Sequence, residues 1–424
     1  MKKIKKEGLR ISCEKMAFRA RQSARLIASL SAQRKNDVLV SMADALIEHR
    51  NVILKANKQD VQLALRKGMS SAFVERLTLD EKRIFQMSES LRQIAALPDP
   101  VGKEIVSWER PNGLSIAKVR VPIGVILIIY ESRPNVTSDC IGLCFKSGNA
   151  VILKGGSDAF HSNTSIFNIL KRVVKDCKLP EGVISFVPFV ERQAVDILLS
   201  LDQHIDLVMP RGGESLIKEI KDKSRIPVIK HYKGVCHIYV DDGADLEMAK
   251  RVVFNAKVQR PSVCNAIETL LVHKDIANRF LPQMGELFQK AGVEIRGCAR
   301  TKKIFPQAKK ANLKDWETEY LDLIISVKVV DDIVQAIEHI NFFGSHHSDA
   351  IITQDTGHKE QFLKEVDSAC VYANASTRFT DGDQFGFGAE IGISTDRLHA
   401  RGPMGLEDLT TYKYVIEGQG QIRE

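Results

Sequence analysis

Cys264 stands in the run Gln259-Arg260-Pro261-Ser262-Val263-Cys264-Asn265. Polar, rigid neighbours and a cation four residues earlier favour the thiolate, the reactive form of this side chain. From that context alone, a nucleophile and a buried structural thiol both stay open. Cys140 and Cys144, spaced i, i+4 beside Ile141 and Phe145, read instead as core thiols. Two glycine pairs directly follow short apolar runs. These are Lys154-Gly155-Gly156-Ser157 after 150–153, and Arg211-Gly212-Gly213-Glu214 after 206–209. Ligands of parallel sheets bind beyond the carboxyl ends of strands. A cation with paired glycines there lets backbone N–H groups and a helix start meet a phosphate. Ordinary strand-to-helix turns have the same composition, and the G-x-G-x-x-G fingerprint is absent. No cysteine or histidine spacing matches a zinc site, and G-x-S-x-G does not occur, so neither a metal site nor a serine nucleophile is expected. Trp316 and Tyr320, near Glu317 and Glu319, fit a binding rim or plain amphipathic packing equally.

The elements that must carry these residues change texture along the chain. Residues 11 to about 100 read as helical: Val38, Met42 and Leu46, with Ala43 and Ile47 beside them, form one apolar stripe. Pro98 and Pro100 end the region. Residues 104–121 predict a hairpin around Pro111-Asn112-Gly113. Apolar runs at 125–130, 150–153, 183–187 and 206–209 then alternate with helical patterns at 136–146 and 157–177. A second series has helices at 245–256, 275–291 and 332–340, and strands near 269–273, 324–330, 350–353 and 369–372. This rhythm predicts α/β architecture with parallel sheets covered by helices. The β-branched, aromatic stretch 409–416 fits a last strand.

With 424 residues, the chain has room for about three domains. Lys+Arg is 61 against Asp+Glu 53, a surplus of +8 that is too thinly spread for a nucleic-acid binder. The one dense basic cluster, Lys2, Lys3, Lys5 and Lys6, reads as a solvated end, with an electrostatic contact as the lesser alternative. Hydrophobic residues make up 44%, too many for a disordered protein. The longest apolar run, 125–130, is far short of the ~20 residues of a membrane span. The basic N-terminus leads into no apolar segment, so no secretory signal is expected. Eight scattered cysteines without a C-x-x-C pair read as reduced thiols of a cytoplasm-like compartment.

Four stretches together resemble the γ-glutamyl phosphate reductases, a branch of the aldehyde dehydrogenase superfamily. They are VPIGVILIIYESRPNVTSDCIGLCFKSGNAVILKGGSDAFHSN (121–163), MPRGGESLI (209–217), QRPSVCNAIETLLVH (259–273) and FGFGAEIGISTDRLHARGPMGLEDLTTYKYVI (385–416). The resemblance runs from about residue 15 to the end and, lacking an N-terminal kinase region, suggests the stand-alone bacterial type. It implies an aldehyde-dehydrogenase-like fold of two doubly wound α/β domains plus a small β oligomerisation flap. Residues 1–103 and 122–244 would be the Rossmann-like NADP(H) domain, 245–373 the catalytic domain, and 104–121 with 400–424 the flap. Flaps of this kind pair across subunits, so a homo-oligomer is expected.

The implied reaction is reduction of L-glutamyl 5-phosphate by NADPH to glutamate 5-semialdehyde and phosphate, in proline biosynthesis. By the same resemblance Cys264 is the nucleophile, and Asn135 with the Cys264 backbone N–H forms the oxyanion hole. Lys154 would hold the adenosine ribose, Ser157 would admit a 2′-phosphate where NAD enzymes carry Glu, and Glu319 would hold the nicotinamide ribose. Arg211, Gly212 and Gly213 take the place of the pyrophosphate loop. His231 stands where hydrolytic relatives carry a general-base Glu, so weak hydrolysis is expected; an acid/base role and a packing role for His231 are both open. Arg260, Arg378 and Arg401 are candidate partners for substrate anions, a structural ion pair being the alternative for each. The labile acyl phosphate makes channelling from glutamate 5-kinase a chemically reasonable partnership. Two other readings compete: an aldehyde dehydrogenase that hydrolyses another semialdehyde, and a catalytically dead scaffold paralogue.

Overall fold

The structure, a computed structural model, describes residues 6–230 and 232–423; Lys2, Lys3 and Lys5 of the basic cluster lie outside them. The chain divides into two compact units. The first runs to Lys230 and includes Phe387–Gly392 and Met404 onward; the second extends to Gly386 and includes Ile393–Pro403.

The first unit opens with five helices: α1 (Lys6–Ile27), α2 (Ala32–Glu48), α3 (Arg50–Arg66), α4 (Ser71–Leu77) and α5 (Glu81–Ala96). The stripe Val38, Met42, Ala43 and Leu46 is fully buried, as the spacing requires. Ser31 and Asp80 start α2 and α5 by accepting backbone N–H bonds from the third residue on. The hairpin follows as β1 (Glu104–Glu109) and β2 (Ser115–Pro122), with Gly113 at φ +84° in its turn. The C-terminal strand Thr410–Glu417 pairs antiparallel with β2, which completes a three-stranded sheet.

A parallel sheet carries the rest of this unit. Its elements are β3 (Val125–Tyr130), α6 (Asn135–Lys146), β4 (Ala150–Gly155), α7 (Phe160–Asp176), β5 (Ile184–Phe186), α8 (Gln193–Leu198), β6 (Leu207–Arg211) and α9 (Glu214–Lys223). The strand order is β5-β4-β3-β6, all parallel. Every residue of β3 and β4 is buried, which is why they read as unbroken apolar runs. The order reverses between β3 and β6, and a doubly wound sheet opens its ligand crevice at such a point.

The second unit is built on a seven-stranded sheet. Along the chain come β7 (Cys236–Val240), α10 (Leu246–Val258), β8 (Ile267–His273), α11 (Lys274–Lys290), β9 (Glu294–Gly297), α12 (Ala299–Ile304), β10 (Lys309–Lys310), β11 (Ile324–Val330), α13 (Ile333–Phe343), β12 (Ser348–Ile352), α14 (Thr356–Glu365) and β13 (Cys370–Ala373). The order β10-β9-β11-β8-β7-β12-β13 is parallel throughout. The units divide after Lys230 rather than at 244, because β7 pairs with β8 and β12 and so belongs to this sheet. A core of Ile238, Val253, Leu270, Phe280, Phe288 and Val327 joins the sheet to α10 and α11.

Candidate active site

In the first unit, both glycine turns follow strands of the parallel sheet. Lys154 is the penultimate residue of β4, and its buried ammonium donates to the Gly155 carbonyl at 2.9 Å. Burial holds this ammonium below the usual lysine range, with Glu191 opposing. Ser157 is exposed at the start of a single 3-10 turn, and its neighbour Asp158 pairs with Lys67 at 2.8 Å. Arg211 ends β6, and Gly212-Gly213 lead into α9. The N–H of Gly213 donates to the Glu131 carboxylate at 2.9 Å. A side chain at Gly212 would lie 2.6 Å from that carboxylate, whereas Gly213 has open space.

Asn135 is the first residue of α6 and is exposed; its amide donates to Asp139 at 3.0 Å, one helical turn on. Asp139 also accepts from Ser90 at 3.2 Å. Burial pushes the Asp139 carboxyl up to about 6, against the lowering effects of Asn135, Ser90 and the Arg211 charge. Cys140 and Cys144 are buried on the same helix, as their spacing suggests, and burial pushes the Cys140 thiol up to about 12.

In the second unit, Cys264 is half-buried just before β8. The following residue anchors it: Asn265 donates to the Thr380 carbonyl at 2.8 Å, its own carbonyl accepts from Thr377, and its amide oxygen accepts from Arg378. Arg378 also donates to Gln259 at 2.8 Å. Burial first, then the charge of Arg260, holds the Arg378 guanidinium below its usual range, while Cys264 acts in the opposite sense. Cys264, Arg260 and Arg378 therefore share one electrostatic neighbourhood. Arg401 is engaged elsewhere: it pairs with Asp367 at 2.8 Å, and Arg397 binds the same carboxylate.

Beneath the cysteine, the Cys236 thiol donates to the Cys264 carbonyl at 3.2 Å. Gly234 packs backbone to backbone on Cys264, so closely that a Cβ would lie 1.9 Å from the Cys264 carbonyl oxygen. The Gly234 N–H in turn donates to Glu319 at 2.8 Å. Gly234 thus borders the cysteine segment, whereas Lys233 donates to the Glu317 carbonyl at 2.7 Å; His231 lies outside the described residues. Trp316 is buried edge-on against the His339 ring, and the Tyr320 hydroxyl bonds Asp315 and Ser326, so these aromatics pack rather than line a rim. Sequence reasoning missed Asp139, Glu131, Gly234 and the buried ion pair Lys257–Glu268. A glutamate inside the apolar run Ala266–His273 was the available signal for the last of these.

The aldehyde dehydrogenase family profile matches residues 7–322. Two proteins named γ-glutamyl phosphate reductase are close relatives. That of Thermoanaerobacter pseudethanolicus is 57% identical over 97% of this chain and 99% of its own. That of Thermodesulfovibrio yellowstonii is 54% identical over 96% and 98%. The crystal structure of the Thermotoga maritima γ-glutamyl phosphate reductase superposes with a TM-score of 0.96 at 47% identity, over 97% of this chain and all of that one. The chain belongs to the aldehyde dehydrogenase family, in its γ-glutamyl phosphate reductase branch.

Aldehyde dehydrogenases are oxidoreductases that use a nicotinamide cofactor. The carboxyl ends of β4 and β6 suit one. Lys154 is a buried cation near a strand end, Ser157 is an exposed hydroxyl three residues on, and Gly213, with open space on its Cα, caps the start of a helix while its N–H is held by Glu131. No helix of the described residues is long and apolar enough to cross a membrane.

Proposed function

We propose that this protein reduces L-glutamyl 5-phosphate to L-glutamate 5-semialdehyde with NADPH, releasing phosphate, as the second step of proline biosynthesis. The observation that carries this reading is the 54–57% identity to γ-glutamyl phosphate reductases over almost the whole length of both chains. Cys264 attacks the acyl carbonyl as the thiolate, and the C–O bond to phosphate breaks. Phosphate leaves with the bonding electron pair and needs no strong acid. The Cys264 N–H and the Asn135 amide steady the oxyanion at each tetrahedral stage. The bound nicotinamide supplies the hydride that reduces the Cys264 thioester. The resulting thiohemiacetal loses its hydroxyl proton and expels the thiolate, which frees the aldehyde.

Lys154, Glu319 and the Arg211-Gly212-Gly213 turn hold the cofactor, and Ser157 favours NADP(H) because a hydroxyl can donate to a 2′-phosphate that a carboxylate would repel. Arg260 and Arg378 meet the substrate's anionic groups, since Arg378 interacts electrostatically with both Cys264 and Arg260, while Arg401 is matched by Asp367. The partition into an NADP-binding domain, a catalytic domain and a flap at 104–121 with 400–424 follows the same reading. So do a homo-oligomer, a cytoplasmic site of action and delivery of the labile substrate by glutamate 5-kinase.

The reaction run backwards tests this. With glutamate 5-semialdehyde and NADP+, NADPH should appear only when inorganic phosphate is present, and Cys264→Ala should lower the rate at least ~10³-fold. Phosphate-independent turnover would mean that water attacks the thioester, making the protein a hydrolytic aldehyde dehydrogenase.

A further inference from the structure

Lys257 on α10 and Glu268 on β8 form an ion pair at 2.6 Å, with side chains 0% and 1% exposed. Two charges removed from water this completely make a poor stabilising device, because their desolvation offsets most of the attraction. Their geometry suggests another use. The second oxygen of Glu268 accepts the backbone N–H of Leu321 at 3.2 Å. Leu321 has φ +54°, a left-handed conformation that a leucine holds only when its surroundings impose it. Two residues earlier, Glu319 accepts the N–H of Gly234, and Gly234 lies against the backbone of Cys264. Cys264 is four residues before Glu268 on the same segment. These contacts close a ring: Cys264, Glu268, Leu321, Glu319, Gly234 and back to Cys264.

We propose that Glu268, charge-matched by Lys257, is a positioning residue that fixes the 319–321 turn relative to the Cys264 segment. The proposal rests on the roles given above to Cys264 and Glu319. Glu268 touches neither substrate nor cofactor; it acts through the single acceptor it offers to Leu321. Burial drives the Glu268 carboxyl up to about 7, and Lys257 is the first influence pulling it back toward the ionised form. The lysine is thus the partner that lets a buried carboxylate serve as the acceptor.

Two double variants separate positioning from mere stability. Lys257→Met with Glu268→Gln removes both charges and keeps an acceptor oxygen for Leu321. Lys257→Met with Glu268→Leu removes the charges and the acceptor together. An apolar replacement of a buried ion pair commonly leaves stability intact, so both should keep a Tm near the parent's. The Gln variant should retain kcat within about threefold. The Leu variant should lose kcat by tenfold or more and raise the KM for NADPH severalfold, while Cys264 alkylation, followed by mass spectrometry of its peptide, stays within about twofold. Equal kcat and KM in the two doubles would overturn the proposal. Should the Leu variant not fold, Lys257→Met with Glu268→Ala makes the same comparison with a smaller side chain. A Glu319→Gln variant with parental kcat and KM would overturn the site reading itself, and the proposal with it.

Discussion

At the scale of single residues, the site is set by contacts too close to tolerate an extra atom. Gly234→Ala would drive a methyl into the Cys264 carbonyl, and both neighbours are backbone, so neither can rotate away. We expect this variant to lose at least ~10²-fold in kcat and about 2–4 kcal/mol of stability, read from steady-state rates and urea unfolding; parental values for both would refute the close approach. Asp139 gives a pH signature. Its folded carboxyl titrates near 6, above the ordinary carboxylate value, so its favourable share of stability is full below about 4 and is lost as pH rises through about 6. Because the residue is only half-buried, that share is about 1–2 kcal/mol. Asp139→Asn carries no proton to lose. Its urea stability should therefore fall less between pH 4.5 and 7 than the parent's, and an identical difference in the two proteins would sink the assignment. In the sequence, local neighbours single out Cys264 and the two glycine turns without deciding their roles, while the arginines are named only through the resemblance. Gly234 and Glu268 act through partners that are distant along the chain, and local context carries no trace of such partners.

At the scale of elements, the buried strands were the most legible feature. β3, β4 and β8 are covered on both faces, so selection for burial writes continuous apolar runs. Elements with one thin contact left no such pattern: α14 buries only Phe362, and β9 alternates between half-buried and buried over four residues. The division after Lys230 was equally hidden, since only pairing with β8 and β12 shows which sheet β7 joins. Helix α1 illustrates how a turn can seat an element. Gly182, in the turn before β5, would carry its Cβ 2.4 Å from the Arg19 carbonyl oxygen in the middle of α1. Nothing but glycine lets the turn and the helix backbone meet. Gly182→Ala should force α1 away from the sheet and cost about 2–3 kcal/mol, seen as a lower urea midpoint with an unchanged slope. A midpoint equal to the parent's would show that α1 is held by its other contacts alone.

At the scale of the molecule, the three-stranded sheet carries large apolar side chains that remain exposed among the described residues. The register places Val106, Trp108, Ile116, Tyr412, Tyr414 and Ile416 on one face. Trp108 stacks edge-on to Tyr414, and the Lys118 ammonium sits 3.6 Å from the Tyr412 ring centre. Trp108 is 39% exposed, Tyr414 53% and Ile416 59%. A monomer seldom presents so many large apolar side chains in one patch, and a three-stranded sheet needs a covered face to be stable. A second copy of the chain, meeting this face with its own, would cover both. Replacing Tyr414 and Ile416 by glutamate puts charges at the centre of that face without disturbing β2 pairing, which runs through the backbone. We expect the doubly substituted protein to sediment as a smaller species than the parent and to unfold at a lower temperature that no longer depends on protein concentration. If the substituted protein and the parent sediment alike, the face is exposed in solution and the homo-oligomer, if one forms, is built through another surface.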